Sequence, residues 1–263
     1  MSPSDLVLYQ AEDMPTSLTA PAPSGGAQSA VAITGSTIGE VFFTMAASGS
    51  GGGVKNQYSK VFWANEHASD DLADAKVWIA NALDVPASGN SVMSAVSDNA
   101  SDNATKFVRF VGRNSADVEH YEDAILNGTT EVSGADSFNQ KVACAELRLS
   151  SGGALTPAAG NITIKKNGVT LGVIPAGYSC AVCEIDIGLE DALDDTETTT
   201  NPGTAPSGIS FTRPRDYAGG LAVANSGVLT HGTGQSVWIR WAEQELRLSS
   251  PDLQIVLRIQ GNA

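Results

Sequence analysis

Two thiols three positions apart, Cys180-Ala-Val-Cys183, form the first spacing in the sequence that could carry chemistry, since such pairs serve as zinc ligands or redox couples. A zinc site needs four ligands, and only Cys144 with one of His67, His120 or His231 remains to complete it. In an extended strand, residues three apart point to opposite faces, so the two thiols do not converge and read as small buried side chains. The acidic clusters Asp98/Asp102 and Asp191/Asp194/Asp195/Glu197 offer hard oxygen ligands for Ca²⁺. They lack the alternation and fixed glycine of a calcium loop and read as solvated acidic loops. No carboxylate pair is singled out for glycoside hydrolysis, and no nucleophile elbow, phosphate loop or metalloprotease helix occurs. The residues therefore name no catalytic, cofactor-binding or metal site, and the expectation is a protein that is not an enzyme.

Trp63, Trp78, Trp238 and Trp241 admit a binding role instead. Exposed together they would make a sugar-stacking platform; buried, they are core or subunit contacts. Trp238 and Trp241 should face opposite sides of one strand, which leaves at least one exposed or covered by a partner.

The elements that would hold these residues are strands. Asn161-Ile-Thr-Ile-Lys-Lys-Asn-Gly-Val-Thr-Leu-Gly-Val-Ile174 places Asn-Gly between two alternating apolar runs, which predicts a hairpin with a type I′ turn. Its two-residue loop sets Ile164 opposite Leu171 and Ile162 opposite Val173, with all four on one face and Thr163, Lys165 and Thr170 on the other. Lys106-Phe-Val-Arg-Phe-Val111 is apolar on both faces and reads as a central strand. Ala143, Ala145, Leu147 and Leu149 share a face of another. A second Asn-Gly, Asn127-Gly128, implies a register with Asp123 opposite Val132.

On either side of this stretch, Gly39–Ala46, Tyr58–Asn65 and Ala75–Ala80 read as a three-strand meander, broken by the flexible loop Ser48–Gly53 and the polar turn Glu66–Asp71. Gly208–Pro214, Ser236–Trp241 and Leu253–Ile259 form a later set. In the last, Leu253, Ile255, Leu257 and Ile259 face one way. Leu-Val-Leu-Tyr followed by a Pro/Gly/Ala tract predicts an N-terminal arm, held by its own domain or by a neighbour. Strong strands at both ends, with an intact module between them, predict an all-β protein of two β-sandwich or jelly-roll-like domains, one inserted into the other; the alternative is a single long serial array of strands. Residues 1–95 plus 185–263 form the split host and residues 96–184 the inserted module.

The chain has 263 residues, 29 acidic against 15 basic, and a formal charge of −14, which opposes contact with a phosphate backbone or an anionic membrane. Nucleic acid and membrane are accordingly not expected as partners. The start lacks a cationic region followed by an apolar core, and no run of eighteen apolar residues occurs, so folding in a cytoplasm is expected. The three cysteines would stay reduced there.

Ser94-Ala-Val-Ser-Asp-Asn99, Val111-Gly-Arg-Asn114, Ile125–Val132, Gly160–Ile164 and Ile174-Pro-Ala-Gly177 resemble β-modules of virion proteins of tailed bacteriophages. Tyr58–Asn65, Ala75–Ile79, Gly208–Pro214 and Ser236–Arg240 are similar to the host domain of the same proteins. The resemblance covers most of the chain, its motifs are turns and strands, and it transfers no catalytic residue. It implies a non-enzymatic virion component, synthesised in the host cytoplasm, with other virion proteins and further copies of itself as partners. The role expected first is a capsid decoration or cement protein, then a neck, tail or baseplate accessory. A carbohydrate-binding module is the alternative from another class, and an enzyme acting on cell-surface polysaccharide stands behind it. In the decoration reading the host domain docks through its arm and open strand edges, and the module projects outward.

Overall fold

The structure, a computed structural model, describes residues 2–14, 23–34, 41, 55–84, 86–183, 185–243 and 255–262. It is nearly all β, as the turn-rich composition predicts. Strands β1 (Leu6–Asp13), β2 (Ser24–Ala32) and β3 (Lys55–Asn65) begin a six-stranded sheet, and β4 (Ala73–Ile79) leaves it for a three-stranded one. Seven successive strands then build the largest sheet: β5 (Ser91–Ser97), β6 (Lys106–Asn114), β7 (Glu119–Ile125), β8 (Val132–Leu149), β9 (Ile162–Lys166), β10 (Val169–Ile174) and β11 (Cys180–Val182). The chain returns to the first sheet with β12 (Ile185–Leu193) and β13 (Thr198–Thr199), passes β14 (Leu221–Ala222), inserts β15 (Gly234–Glu243) between β12 and β3, and ends with β16 (Leu257–Asn262) beside β4. β5 straddles residue 95, so pairing in the large sheet starts at Ser91.

Two apolar cores result. One, with Met93, Val108, Phe110, Leu126, Phe138, Leu147, Ile162, Ile164 and Ile174, lies within the seven-stranded sheet and is closed by Leu83. The other joins all three sheets: Val61, Ile187, Val237 and Ile239 meet Val77 and Ile79, and Val111, Ala143, Cys144 and Val182 reach in from the large sheet.

Several expectations change in detail. The Asn167-Gly168 turn forms with both residues at positive φ, and Lys166 pairs with Val169 as expected. After Thr170 the register slips by one, so Ile164 opposes Gly172 and Ile162 opposes Ile174. Ile174 therefore faces the core and Val173 pairs with Thr163 on the outer face. Residues 82–84 cause the slip. Asp84 N–H donates to Leu171 O at 2.8 Å, and any Cβ at Gly172 would fall inside contact distance of Ala82 O.

In β8 a bulge leaves Ala143 unpaired between Cys144↔Val111 and Val142↔Gly112, which turns Ala143 into the second core while Ala145 and Leu147 stay in the first. The Asp123/Val132 register does not form. Asp123 faces Arg109 on β6 in a bidentate pair, Nε–Oδ1 and Nη2–Oδ2 both 2.7 Å, and this sets β7 against β6.

The meander is also revised, because β3 lies between β1 and β15 whereas β4 belongs to another sheet. Leu6–Asp13 is an interior strand of its own sheet, paired with β3 and β2, so of the two expected anchors the chain's own sheet holds it. Of Gly208–Pro214 only Thr212 pairs, with Ile187. Leu257 and Ile259 alternate with exposed Arg258 and Gln260 as read. The expected strand Gly39–Ala46, apart from residue 41, and the tracts 15–22 and 48–53 lie outside the described residues.

Gly172→Ala should cost about 1–3 kcal/mol, read as a lower urea midpoint, because the added methyl forces residues 82–84 off the hairpin. Asp102 gives a second test. Its fully buried carboxylate accepts from Ser97 Oγ (2.7 Å), Lys106 Nζ (2.8 Å), and the N–H groups of Ala159 and Gly160 (both 3.0 Å). Burial pushes this carboxyl up, but those four donors together outweigh it and hold the group below the ordinary 3.8. Its contribution is complete above the unfolded carboxylate value and is lost as pH falls through the lowered folded one. Asp102→Asn should cost about 2–4 kcal/mol at neutral pH and flatten that acid dependence, measured by urea unfolding across the acid range.

Candidate functional site

Alternation along β3 puts Val61 and Trp63 on the face toward the second core, and Tyr58, Lys60 and Phe62 on the opposite face. Across that face, Lys60 pairs with Trp238 on β15, and Trp238 with Gly188 on β12. Glu190 and Asp186 flank Gly188 two residues away on either side and share its face. The centre of the six-stranded sheet is thus polar, and the chain from Asp194 to Arg213 roofs it. Glycines permit the close approach. A Cβ on Gly188 would strike Ile209, and one on Gly25, at φ +116°, would lie 2.5 Å from Glu197 O and 2.9 Å from the Trp238 ring.

Lys60 is fully buried. Its Nζ donates to the carbonyls of Asp195 (2.8 Å) and Glu197 (3.2 Å), and lies 3.6 Å from Asp195 Oδ1 and 3.7 Å from Glu190 Oε1. The rings of Phe62 and Trp238 flank it at 5.3 and 5.6 Å. Trp238 Nε1–H donates to Glu190 Oε1, and Glu197 N–H donates to Asp195 Oδ1 at 2.7 Å. Burial drives the Lys60 ammonium below its ordinary value, against the opposing pull of Glu190, Asp195 and Glu197. Burial likewise raises Glu190, against the Trp238 hydrogen bond and Lys60, with Asp195 and Glu197 adding to the rise. An amine and a carboxylic acid are each pressed toward the neutral form, side by side, out of water.

Glu190, Asp195 and Glu197 also bring carboxylate oxygens within 4.8 Å of one another, the spacing of a metal-binding group. Lys60 Nζ lies beside two of these carboxylates and supplies a positive charge there. The sequence placed Asp195 and Glu197 in a solvated loop, but both are half-buried. Asp191 and Asp194 are exposed, and Asp194 Oδ1 accepts from Gly234 N–H at 2.7 Å. The other acidic cluster is internal scaffolding: Asp98 holds Asn161 through its N–H (2.8 Å) and Nδ2 (3.0 Å), and Asp102 is buried.

At the far end of the same face, Asp186 is clasped by Arg213 (Nε–Oδ1 3.0 Å) and Arg240 (Nη2–Oδ2 2.6 Å). Arg213 also donates to Ile185 O and Leu83 O, and Arg240 lies over Phe211 at 5.3 Å. This clasp pins the roof.

The remaining candidates disperse. Cys144, Cys180 and Cys183 are buried and free of disulfides, with Cys144 in one core and Cys183 in the other. His67, His120 and His231 each sit beside a separate aspartate, Asp70, Asp136 and Asp71. Trp78 and Trp238 are buried, Trp63 and Trp241 half-buried, and Trp241 lies on the face opposite Trp238. Lys60 was missed as a site residue. Its signal was a lysine between Tyr58 and Phe62 on the aromatic face of an otherwise ordinary strand.

Comparison with protein-family models, with curated proteins and with solved structures finds no match.

Replacing Asp186 by Ala should leave two arginines facing each other and cost about 3–5 kcal/mol, measured as the loss of unfolding free energy in urea.

Proposed function

We propose that the chain is a non-enzymatic structural subunit of a tailed-phage virion, a capsid decoration or cement protein, built as a split host β-sandwich carrying an inserted β-sandwich module. The resemblance of its strand and turn motifs supports the virion reading. The observation that carries docking is the edge strand β7, which among the described residues pairs with β6 alone. Tyr121 and Ile125 on its outer face and Val118 just before it are 50, 60 and 57% exposed. Arg109 stacks against Tyr121 at 4.4 Å and extends this surface toward Phe107. Open edges accept a further strand from another chain, and an apolar stripe beside one adds side-chain contact. Docking through β7 assigns the contact to the module and not to the host domain, the reverse of the sequence-based orientation.

The purified protein should co-sediment with expanded capsids of the virus that encodes it. Tyr121→Asp combined with Ile125→Asp should weaken that binding by about tenfold or more with an unchanged circular dichroism spectrum. Binding to isolated tails but not capsids would favour the tail-accessory reading. Binding to neither, or equal binding by the double variant, would sink the proposal.

A further inference from the structure

We propose that Lys60 and Asp195 become joined by an isopeptide bond between Lys60 Nζ and Asp195 Cγ, with Glu190 carrying the proton. This inference rests on the geometry under the roof loop and is independent of the virion reading.

The reaction needs an uncharged amine shielded from water, a carboxyl carbon held against it, and a group that moves protons. Lys60 is desolvated completely, and its nitrogen is fixed to the backbone of the very residue whose side chain it would attack, through Asp195 O at 2.8 Å. A lysine held out of water between two aromatic rings is an activated nucleophile. Among the three nearby carboxylates, Asp195 is the suitable electrophile. Its Oδ1 lies 3.6 Å from Nζ and accepts the Glu197 N–H at 2.7 Å, a donor positioned to hold negative charge as it develops on that oxygen. Glu190 is held by the Trp238 indole at 3.7 Å from the same nitrogen, and burial favours its protonated form. Holding reactants in this way replaces a bimolecular condensation by an intramolecular one of high effective concentration.

The step balances without any further reagent. The Lys60 ammonium passes a proton to Glu190, and the freed lone pair forms the N–C bond to Asp195 Cγ. A second amine proton and the one held by Glu190 leave with one carboxyl oxygen as water. The C–O bond breaks, an amide N–H remains, and Glu190 ends in the state in which it began. An ammonium and a carboxylate are replaced by an amide and water.

Such a bond would tie β3 to the segment after β12, enclosing the whole seven-stranded sheet in a covalent loop. A single bond would thus resist separation of the two halves of the six-stranded sheet.

Intact-mass spectrometry of the full chain should give a mass lower than the sequence predicts by one water molecule. Tandem spectra after proteolysis should show the Lys60 peptide linked to the Asp195 peptide. Glu190→Gln keeps an acceptor for Trp238 but cannot accept the proton, and should form the bond about a hundredfold more slowly. Asp195→Asn should lose ammonia in place of water and reach the same linked product, which keeps the proposal testable should the glutamine variant misfold. An unmodified mass in the natural chain, or a water loss that maps elsewhere, overturns the bond. Rapid linkage in the glutamine variant overturns the role of Glu190.

Discussion

A positive charge without access to water must be answered inside the protein, and Lys60 is such a charge at the centre of the six-stranded sheet. The groups that answer it come from more than a hundred residues away in sequence: Glu190 from β12, and Asp195 and Glu197 from the loop that follows. To reach the ammonium, that loop must lie flat on the sheet. This explains Gly188 beneath Ile209, Gly25 beneath Glu197, and the clasp of Asp186 by two arginines where the loop leaves the face. Without the lysine, three carboxylates would converge in a partly buried site; without the loop, the lysine would lose the Asp195 and Glu197 groups that hold it.

What could be read from the sequence was local. Asn167-Gly168 announced its turn because positive φ at two successive positions is a demand few residue pairs satisfy, and the apolar alternation of β9 named the buried face. The slip beyond Thr170 was not readable, since it is imposed by residues 82–84 pressing on Gly172. Asn127-Gly128 was the weaker signal, since its register would set Asp123 opposite Val132, and the bidentate Arg109–Asp123 pair fixes β7 on β6 instead. Sequence pattern ranks turns, but contacts between distant segments choose among registers.

The same limit applies to chemistry. Cys180 and Cys183 stood out by spacing and are buried side chains, whereas Lys60 had no motif at all. Its partners were read as an acidic loop in water because acidic residues in a turn-rich stretch normally are. Only an alternation count along β3, which puts Lys60 on a face with Tyr58 and Phe62, hinted that its charge points into an aromatic layer.

The place of β15 between β12 and β3 bears on the order in which the chain can assemble. β3 is synthesised early, but its partner spans Gly234–Glu243, so one long hydrogen-bonding edge of β3 waits through translation of the entire seven-stranded sheet. Most contacts of that sheet are made within residues 91–182, and its loops can close while the first sheet is still incomplete. Until the C-terminal strands leave the ribosome, the nascent protein carries the seven-stranded sheet beside an incomplete six-stranded one, with an exposed strand edge that other chains can capture.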